Sequence, residues 1–199
     1  METKEFLHQR FNPRSDQIPP ARIKGLRRTD LYPMFAELGF QRGAEVGVAD
    51  GRNSLAICES IPNLKMFCID PWKVYGKNPR AQDNQDFNFN LARERLKPYN
   101  VTFYKAMSMD AVRDFEPHSL DFVYIDGHHS FDYVIQDLVE WSKIVRPGGI
   151  VCGHDYYRFR WAGVQLAVDS YTRAHQVHEF YLTDEKETSF FWARPDKDI

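Results

Sequence analysis

Ala44-Glu-Val-Gly-Val-Ala-Asp-Gly51, followed at once by Arg52-Asn-Ser-Leu55, is the stretch on which the fold turns. Ala44 to Val48 is a short buried-strand run interrupted only by Glu45. Leu55, Ala56, Cys58 and Ile61 then recur at helical spacing until Pro62 ends the segment. A strand therefore runs straight into a helix through a loop whose glycines, Gly47 and Gly51, stand four apart. Such a loop lets backbone approach a ligand where the helix N-terminus points. The spacing is not the dinucleotide GxGxxG fingerprint.

The same unit repeats on the C-terminal side. Lys65 to Asp70 reads as a strand, and residues 82–97 as an amphipathic helix carrying Phe87, Leu91 and Leu96. Val101 to Tyr104 is a strand, with a short helix at 109–115. Leu120-Asp-Phe-Val-Tyr-Ile-Asp126 is the clearest strand in the chain, and residues 130–145 a helix with Phe131, Val134, Ile135, Leu138 and Trp141 on one face. Pro147-Gly148-Gly149 predicts a turn into a strand from Ile150 to Cys152. After a helix at 161–175, two β-rich runs, Glu179–Leu182 and Ser189–Ala193, lie six residues apart, too close for a helical crossover, so they pair antiparallel. The expectation is an α/β fold: a doubly wound sheet of about seven strands, mostly parallel with one antiparallel strand near the C-terminus, and helices on both faces.

Upstream, residues 9–22 with Pro13, Pro19 and Pro20 read as an irregular arm, and Thr29 or Asp30 caps a short helix through Leu38 that Gly39 stops. This divides the chain into an arm and short helix over 1–42 and one domain over 43–199. Composition agrees: 199 residues, 43% hydrophobic, 27% charged and a net charge of −2 support one domain with a sizeable core. The balance excludes a strongly basic nucleic-acid binder, and no apolar run spans a bilayer. The polar N-terminus leads to the expectation of no leader, and Cys58, Cys68 and Cys152, set apart among apolar neighbours, to that of reduced thiols in a cytoplasmic protein. The local excess of charge is the basic cluster Arg22, Lys24, Arg27 and Arg28, either a solvated arm or a site for an anionic partner.

In a doubly wound sheet, ligands bind outside the carboxyl ends of the strands. The first such end is the glycine loop; the second is Asp70, nineteen residues beyond Gly51, which can accept hydrogen bonds from two ribose hydroxyls. Loop and acid together describe a nucleoside-like ligand without a phosphate anchor.

With Glu45-x-Gly47-x-x-x-Gly51, the acidic end of strand two, a strand ending in Asp126, and Arg146-Pro-Gly-Gly149 before the next strand, the chain resembles class I S-adenosylmethionine (SAM)-dependent methyltransferases, which carry a Rossmann-like sheet. The resemblance runs from about Gly43 to Pro195. Tyr124-Ile-Asp126-Gly-His128-His129-Ser-Phe-Asp-Tyr-Val134 and Gly153-His154-Asp155-Tyr156 look like the small bacterial group related to cephalosporin-biosynthesis and macrolide-sugar O-methyltransferases. One departure is Ala49, where the loop usually has its middle glycine. The resemblance implies that Glu45 orients the loop or meets the methionine amino end, and that Gly47, with Val48, Ala49 and Gly51, lets backbone approach the cofactor. It further implies that Asp70 holds the ribose, that Met107 and Ser108 flank adenine, and that Asp126 lies beside the sulfonium and the acceptor.

Adjacent parallel strands end about 4.8 Å apart, so Asp126 and Asp155 can share a cation. In related enzymes these positions, with the one before Asp155, hold a divalent ion, usually Mg2+, that lowers the pKa of an acceptor hydroxyl. Here that preceding residue is His154, whose nitrogen suits manganese, iron or zinc better, or which serves as a general base instead. His128 and His129 are the other candidate bases. Trp72, Tyr75, Tyr156 and Tyr157 are available to wall the pocket. The expected activity is O-methylation of a small-molecule acceptor such as a sugar or natural product, without nucleic acid or membrane, and with a homo-oligomer allowed by the arm. The alternatives are a non-catalytic methyltransferase-like binding subunit and a nicotinamide-dependent oxidoreductase.

Overall fold

The computed structural model describes residues 2–13, 19–74, 79–157 and 162–195. Among them eight strands form one sheet: β1 (Ala21–Arg22), β2 (Arg42–Val46), β3 (Lys65–Ile69), β4 (Val101–Tyr104), β5 (Leu120–Ile125), β6 (Val145–Gly153), β7 (Tyr181–Leu182) and β8 (Phe190–Ala193). Their spatial order is β1-β7-β8-β6-β5-β2-β3-β4. Every pairing is parallel except those of β8, which runs against both β6 and β7. The helices are α1 (Thr3–Phe11), α2 (Leu31–Glu37), α3 (Arg52–Ser60), α4 (Pro79–Leu96), α5 (Ser108–Ala111), α6 (Phe131–Ile144) and α7 (Val164–Ala174). None among the described residues is long and apolar enough to cross a membrane.

Strand alternation divides the core between the two faces. Val123 and Ile125 of β5 pack with Leu138, Trp141 and Val168 from α6 and α7. Phe122 and Tyr124, one residue out of phase, pack with Leu7, Tyr32, Phe35 and Ile57 from α1 to α3. Both faces are covered, which is why the central strands read as continuous apolar runs. The three cysteines are buried and free.

The reversed strand sits where two conditions meet. The short connection forces β7 and β8 antiparallel, and β8 still buries both its faces by entering between β7 and β6. Phe190 and Trp192 stack 5.7 Å apart on one side, and Phe191 stacks on Tyr181 at 5.3 Å on the other. Fully burying side chains of this size contributes about 1.5–3 kcal/mol each.

Three local expectations are corrected. The Pro147-Gly148-Gly149 turn lies inside β6 as a bulge: Leu120 pairs Val145 and Phe122 pairs Ile150, so two steps on β5 face five on β6. Arg194 holds the bulge, accepting from Gly148 N at 3.0 Å and donating to Gly149 O at 2.7 Å. The arm of 9–22 is not wholly irregular. Residues 9–11 finish α1, where Leu7 is buried and Phe11 lies 5.5 Å from Tyr181, while Ala21 and Arg22 add an eighth strand beside β7. Both segments are too short and too polar to show a period, and tertiary contact makes them regular.

Between β2 and α3 the chain reverses through three residues with positive φ: Gly47 (90°), Ala49 (48°) and Gly51 (80°). At Gly47 a Cβ would collide with the backbone of Asp126 and Gly127, so β2 and β5 meet there without side chains between them. At Gly51 it would stand 2.9 Å from Ala92 Cα, so the glycine lets α4 close on the start of α3. Ala49 adopts the left-handed conformation with a side chain, at a cost of about 1–2 kcal/mol. Ala49→Gly is therefore expected to raise the thermal midpoint by roughly 1–3 °C, the relief being partly offset by a more flexible unfolded chain. A lowered midpoint in differential scanning calorimetry would contradict this.

Candidate active site

The carboxyl ends of β2, β3 and β5 open into one cavity of about 550 Å³, within the roughly 300–1,000 Å³ usual for small-ligand sites. Its walls include Arg28, Glu45, Asp70, Ser108, Asp126 and Asp137.

Asp70 ties the floor together. Its Oδ2 accepts from Val48 N and Ala49 N, each at 3.0 Å, and its Oδ1 from Trp72 N at 2.7 Å. Burial raises its pKa, partly opposed by those three N–H donors. Trp72 Nε1 also donates to Ala49 O at 2.8 Å, so the indole lies fully buried beneath the loop, 4.6 Å from Phe89.

Glu45 is buried in β2, with Asn53 Nδ2 donating to Oε1 at 2.9 Å and Ser54 donating to Oε2. Asn53 in turn accepts from the Tyr32 hydroxyl. Burial pushes the Glu45 pKa up to about 8, against the lowering influence of Ser54 and Asn53. Gly47, Val48 and Ala49 line the cavity with this acid, whereas Gly51 serves the α3–α4 contact behind it.

Met107 precedes α5, and Ser108 opens it. Ser108 donates to Asp137 and accepts from Trp141 Nε1 at 2.7 Å. Burial raises the Asp137 pKa to about 6. Asp137 escaped the sequence reading, although an acid between Val134 and Leu138 on the apolar stripe of α6 is a visible signal. Arg28 was visible only as one member of a basic cluster.

The second group lies where β5 and β6 end. Asp126, His154 and Asp155 offer ligand atoms that all lie within 4.8 Å of one another. His154 Nδ1 stands 3.2 Å from Asp155 Oδ1 and 3.9 Å from Asp126 Oδ2. His129 Nε2 faces the same acids, 3.1 Å from Asp155 Oδ2 and 3.6 Å from Asp126 Oδ1. Burial holds the Asp126 pKa up despite the hydrogen bond with His129, while at Asp155 the imidazoles of His154 and His129 overcome burial and hold it down. Asp155 has φ of 60°, a strained conformation that turns its carboxylate toward the group. His128 turns elsewhere, with Nδ1 3.1 Å from Ser130 Oγ and its ring 4.6 Å from Tyr133.

Of the candidate wall aromatics, Trp72 and Tyr156 are core residues; Tyr156 donates to Asp169 at 2.6 Å and packs on Phe180. Tyr157 stays partly exposed, hydrogen-bonded to Asp155. Tyr75 lies outside the described residues.

Known proteins share this frame. An O-methyltransferase from Bacillus cereus, solved in complex with SAH, superposes with a TM-score of 0.61 at 13% identity over 96% of this chain and 90% of its own. The O-methyltransferase TomG from Streptomyces achromogenes, involved in tomaymycin synthesis and solved with SAM, gives 0.61 at 14% identity over 96% and 87%. An uncharacterised protein of Acanthamoeba polyphaga mimivirus is 27% identical over 122 residues, 59% of this chain. The chain spans about half the length, 52%, of that curated relative. The family model described as a methyltransferase domain matches residues 44–156, which hold β2 to β6, the glycine loop and the whole Asp126–Asp155 group. By that match over more than half of its length, the chain belongs to the methyltransferase domain family.

Proposed function

We propose that the chain transfers a methyl group from SAM to a hydroxyl of a small molecule, a sugar or a natural product. The observation that carries this reading is a single cavity shared by the glycine loop, Asp70 and Asp126, with two further titratable groups, His129 and Asp155, against that last acid. When bound, the cofactor supplies a methyl on a sulfonium whose leaving group departs neutral. The chain must then align the acceptor and take its proton. Glu45 faces the cofactor's amino end, Asp70 its ribose, and Met107 with Ser108 its adenine. Asp126 stands at the junction between this cavity and the Asp155 group, where a positive sulfonium is favourably met.

The residues at that junction suit a divalent ion. Two carboxylates and an imidazole within 4.8 Å form a mixed oxygen and nitrogen donor set, compatible with Mg2+ and better suited to Mn2+, Fe2+ or Zn2+. An ion held by Asp126, His154 and Asp155 would lower the pKa of the acceptor hydroxyl. His129 stands outside that ligand set, with Nε2 3.1 Å from Asp155 Oδ2 and 3.6 Å from Asp126 Oδ1, and is the base that would take the acceptor's proton.

A small acceptor is favoured over nucleic acid by the fate of the basic cluster. Arg28 lines the cavity, which leaves three exposed cations in the cluster, Arg22, Lys24 and Arg27, and Arg22 is already tied down by its bond to Thr183 O at 2.8 Å. A duplex-binding face needs several phosphate contacts.

Isothermal titration with S-adenosylhomocysteine is expected to show binding in the micromolar range or tighter. Absence of binding to folded protein would remove the reading. Because Glu45 has a pKa of about 8, it is mostly protonated at neutral pH, and an arriving ammonium favours its ionised form. Affinity should therefore rise between about pH 6 and 8, with release of roughly one proton that Glu45→Gln abolishes. Turnover, followed as S-adenosylhomocysteine release across a panel of hydroxylated small molecules, is expected to fall by about 10²-fold or more with EDTA and in Asp155→Ala. Affinity for S-adenosylhomocysteine should change little in both cases. Wild-type turnover under either treatment would remove the metal from the mechanism.

A further inference from the structure

We infer that Arg28 is the anchor for the cofactor's amino-acid carboxylate, a subsite supplied by the N-terminal arm from outside the matched domain. The inference rests on the SAM reading and adds to it the group that orients the methionine end.

Topology explains how an arm residue reaches the cavity. β1 is parallel to β7, and β8 reverses against both β7 and β6, so β1 runs in the same direction as β5 and β6. The chain leaving β1 therefore emerges at the same edge as Asp126. It is pinned there by the turn after β7. Gly25 N donates to Asp184 Oδ2 at 3.0 Å, Asp184 N to Leu26 O at 2.7 Å, and Arg28 N to Glu185 Oε2 at 2.7 Å. Held by these bonds, Arg28 extends a partly buried side chain onto the cavity wall, sharing a hydrogen bond with Tyr124 and lying within electrostatic reach of Tyr32, Asp126 and Glu45.

Charge then limits what the guanidinium can meet. Among the described residues the lining carries five acids, Glu45, Asp50, Asp70, Asp126 and Asp137, against three permanent cations, Arg28, Arg52 and Lys73, and two histidines, of which His129 is engaged by Asp126 and Asp155 and His128 by Ser130. Arg52 is 78% exposed and is taken by Asp50 at 2.9 Å, and Lys73 is exposed. SAM carries a sulfonium, an ammonium and one carboxylate. The acids suit the two cations and repel the carboxylate, which against the cavity wall needs a partly desolvated positive partner. Arg28 is the lining cation so placed, and its planar fork fits a carboxylate with two hydrogen bonds. With the ammonium toward Glu45 and the carboxylate toward Arg28, the methionine chain has one orientation.

The test is direct binding of three ligands to wild type, Arg28→Gln and Arg28→Lys: S-adenosylhomocysteine, its decarboxylated analogue, and 5′-methylthioadenosine. Wild type should prefer S-adenosylhomocysteine over the decarboxylated analogue. Arg28→Gln should weaken S-adenosylhomocysteine by roughly 10–100-fold, the worth of a charge-assisted hydrogen bond, while leaving both truncated ligands within about threefold. Arg28→Lys should recover part of the loss. Equal weakening of all three ligands in Arg28→Gln, with an unchanged thermal midpoint, assigns Arg28 a role in shaping the cavity and overturns the proposal. So does an unchanged S-adenosylhomocysteine affinity, including the case in which only an acceptor KM rises. Failure of wild type to bind S-adenosylhomocysteine overturns the cofactor reading, and this subsite with it.

Discussion

The carboxylate of Asp70 accepts three backbone N–H groups, from Val48, Ala49 and Trp72, and the shape of the cavity depends on it. A loop that bends through three positive-φ residues presents amides with no helical or sheet partner. Left unpaired in a buried setting, each would cost about 1–3 kcal/mol. One acid at the end of the neighbouring strand satisfies two of them and draws Trp72 under the loop as a buried prop. The parallel register of β2 and β3, with Val46 opposite Ile69, is what delivers the acid to that point. Sheet register, loop conformation and ligand cavity are thus one structural problem with one solution.

Electrostatics gives the cavity its direction. Glu45, Asp70 and Asp126 are all driven toward their neutral forms by burial, and each is only partly compensated by hydrogen bonds. Groups held in this way gain most when a cation arrives. Under the proposed reading, these partly compensated acids with Arg28 beside them would suit a ligand with two positive centres and one negative. At the far end, Asp155, with its positive φ, and the imidazoles of His129 and His154 form a polar group that borders the cavity through Asp126 and His129.

Much of this was legible in residue order. The strand–helix alternation, the reversed strand near the C-terminus, and the strand-end acids Asp70, Asp126 and Asp155 follow from apolar periodicity and from the rule that ligands sit at the carboxyl edge. What stayed hidden has a common cause. Asp137 becomes part of the cavity only because α6 packs with Trp141 against α5, and Ser108 connects the two. The bulge in β6 exists because Arg194 of a later segment holds it. The histidines show the same limit: His128 and His129 are adjacent in sequence, and only the fold turns one toward Ser130 and the other toward the acids.

The sequence by itself determined the α/β class, the glycine loop, the order of acids along the sheet edge and the family that these features resemble. Each of these is carried by local pattern, where side-chain period and strand-end chemistry act within a few residues. The tertiary structure decided how the N-terminal arm is used. A two-residue strand has no readable period, and its pairing with β7 depends on an edge built from the far end of the chain. That pairing aligns β1 with the central strands and brings Arg28 to the cavity. A basic cluster that composition could describe only as solvated arm or anion site thereby acquires a location, because long-range strand pairing sets which cation faces the buried acids.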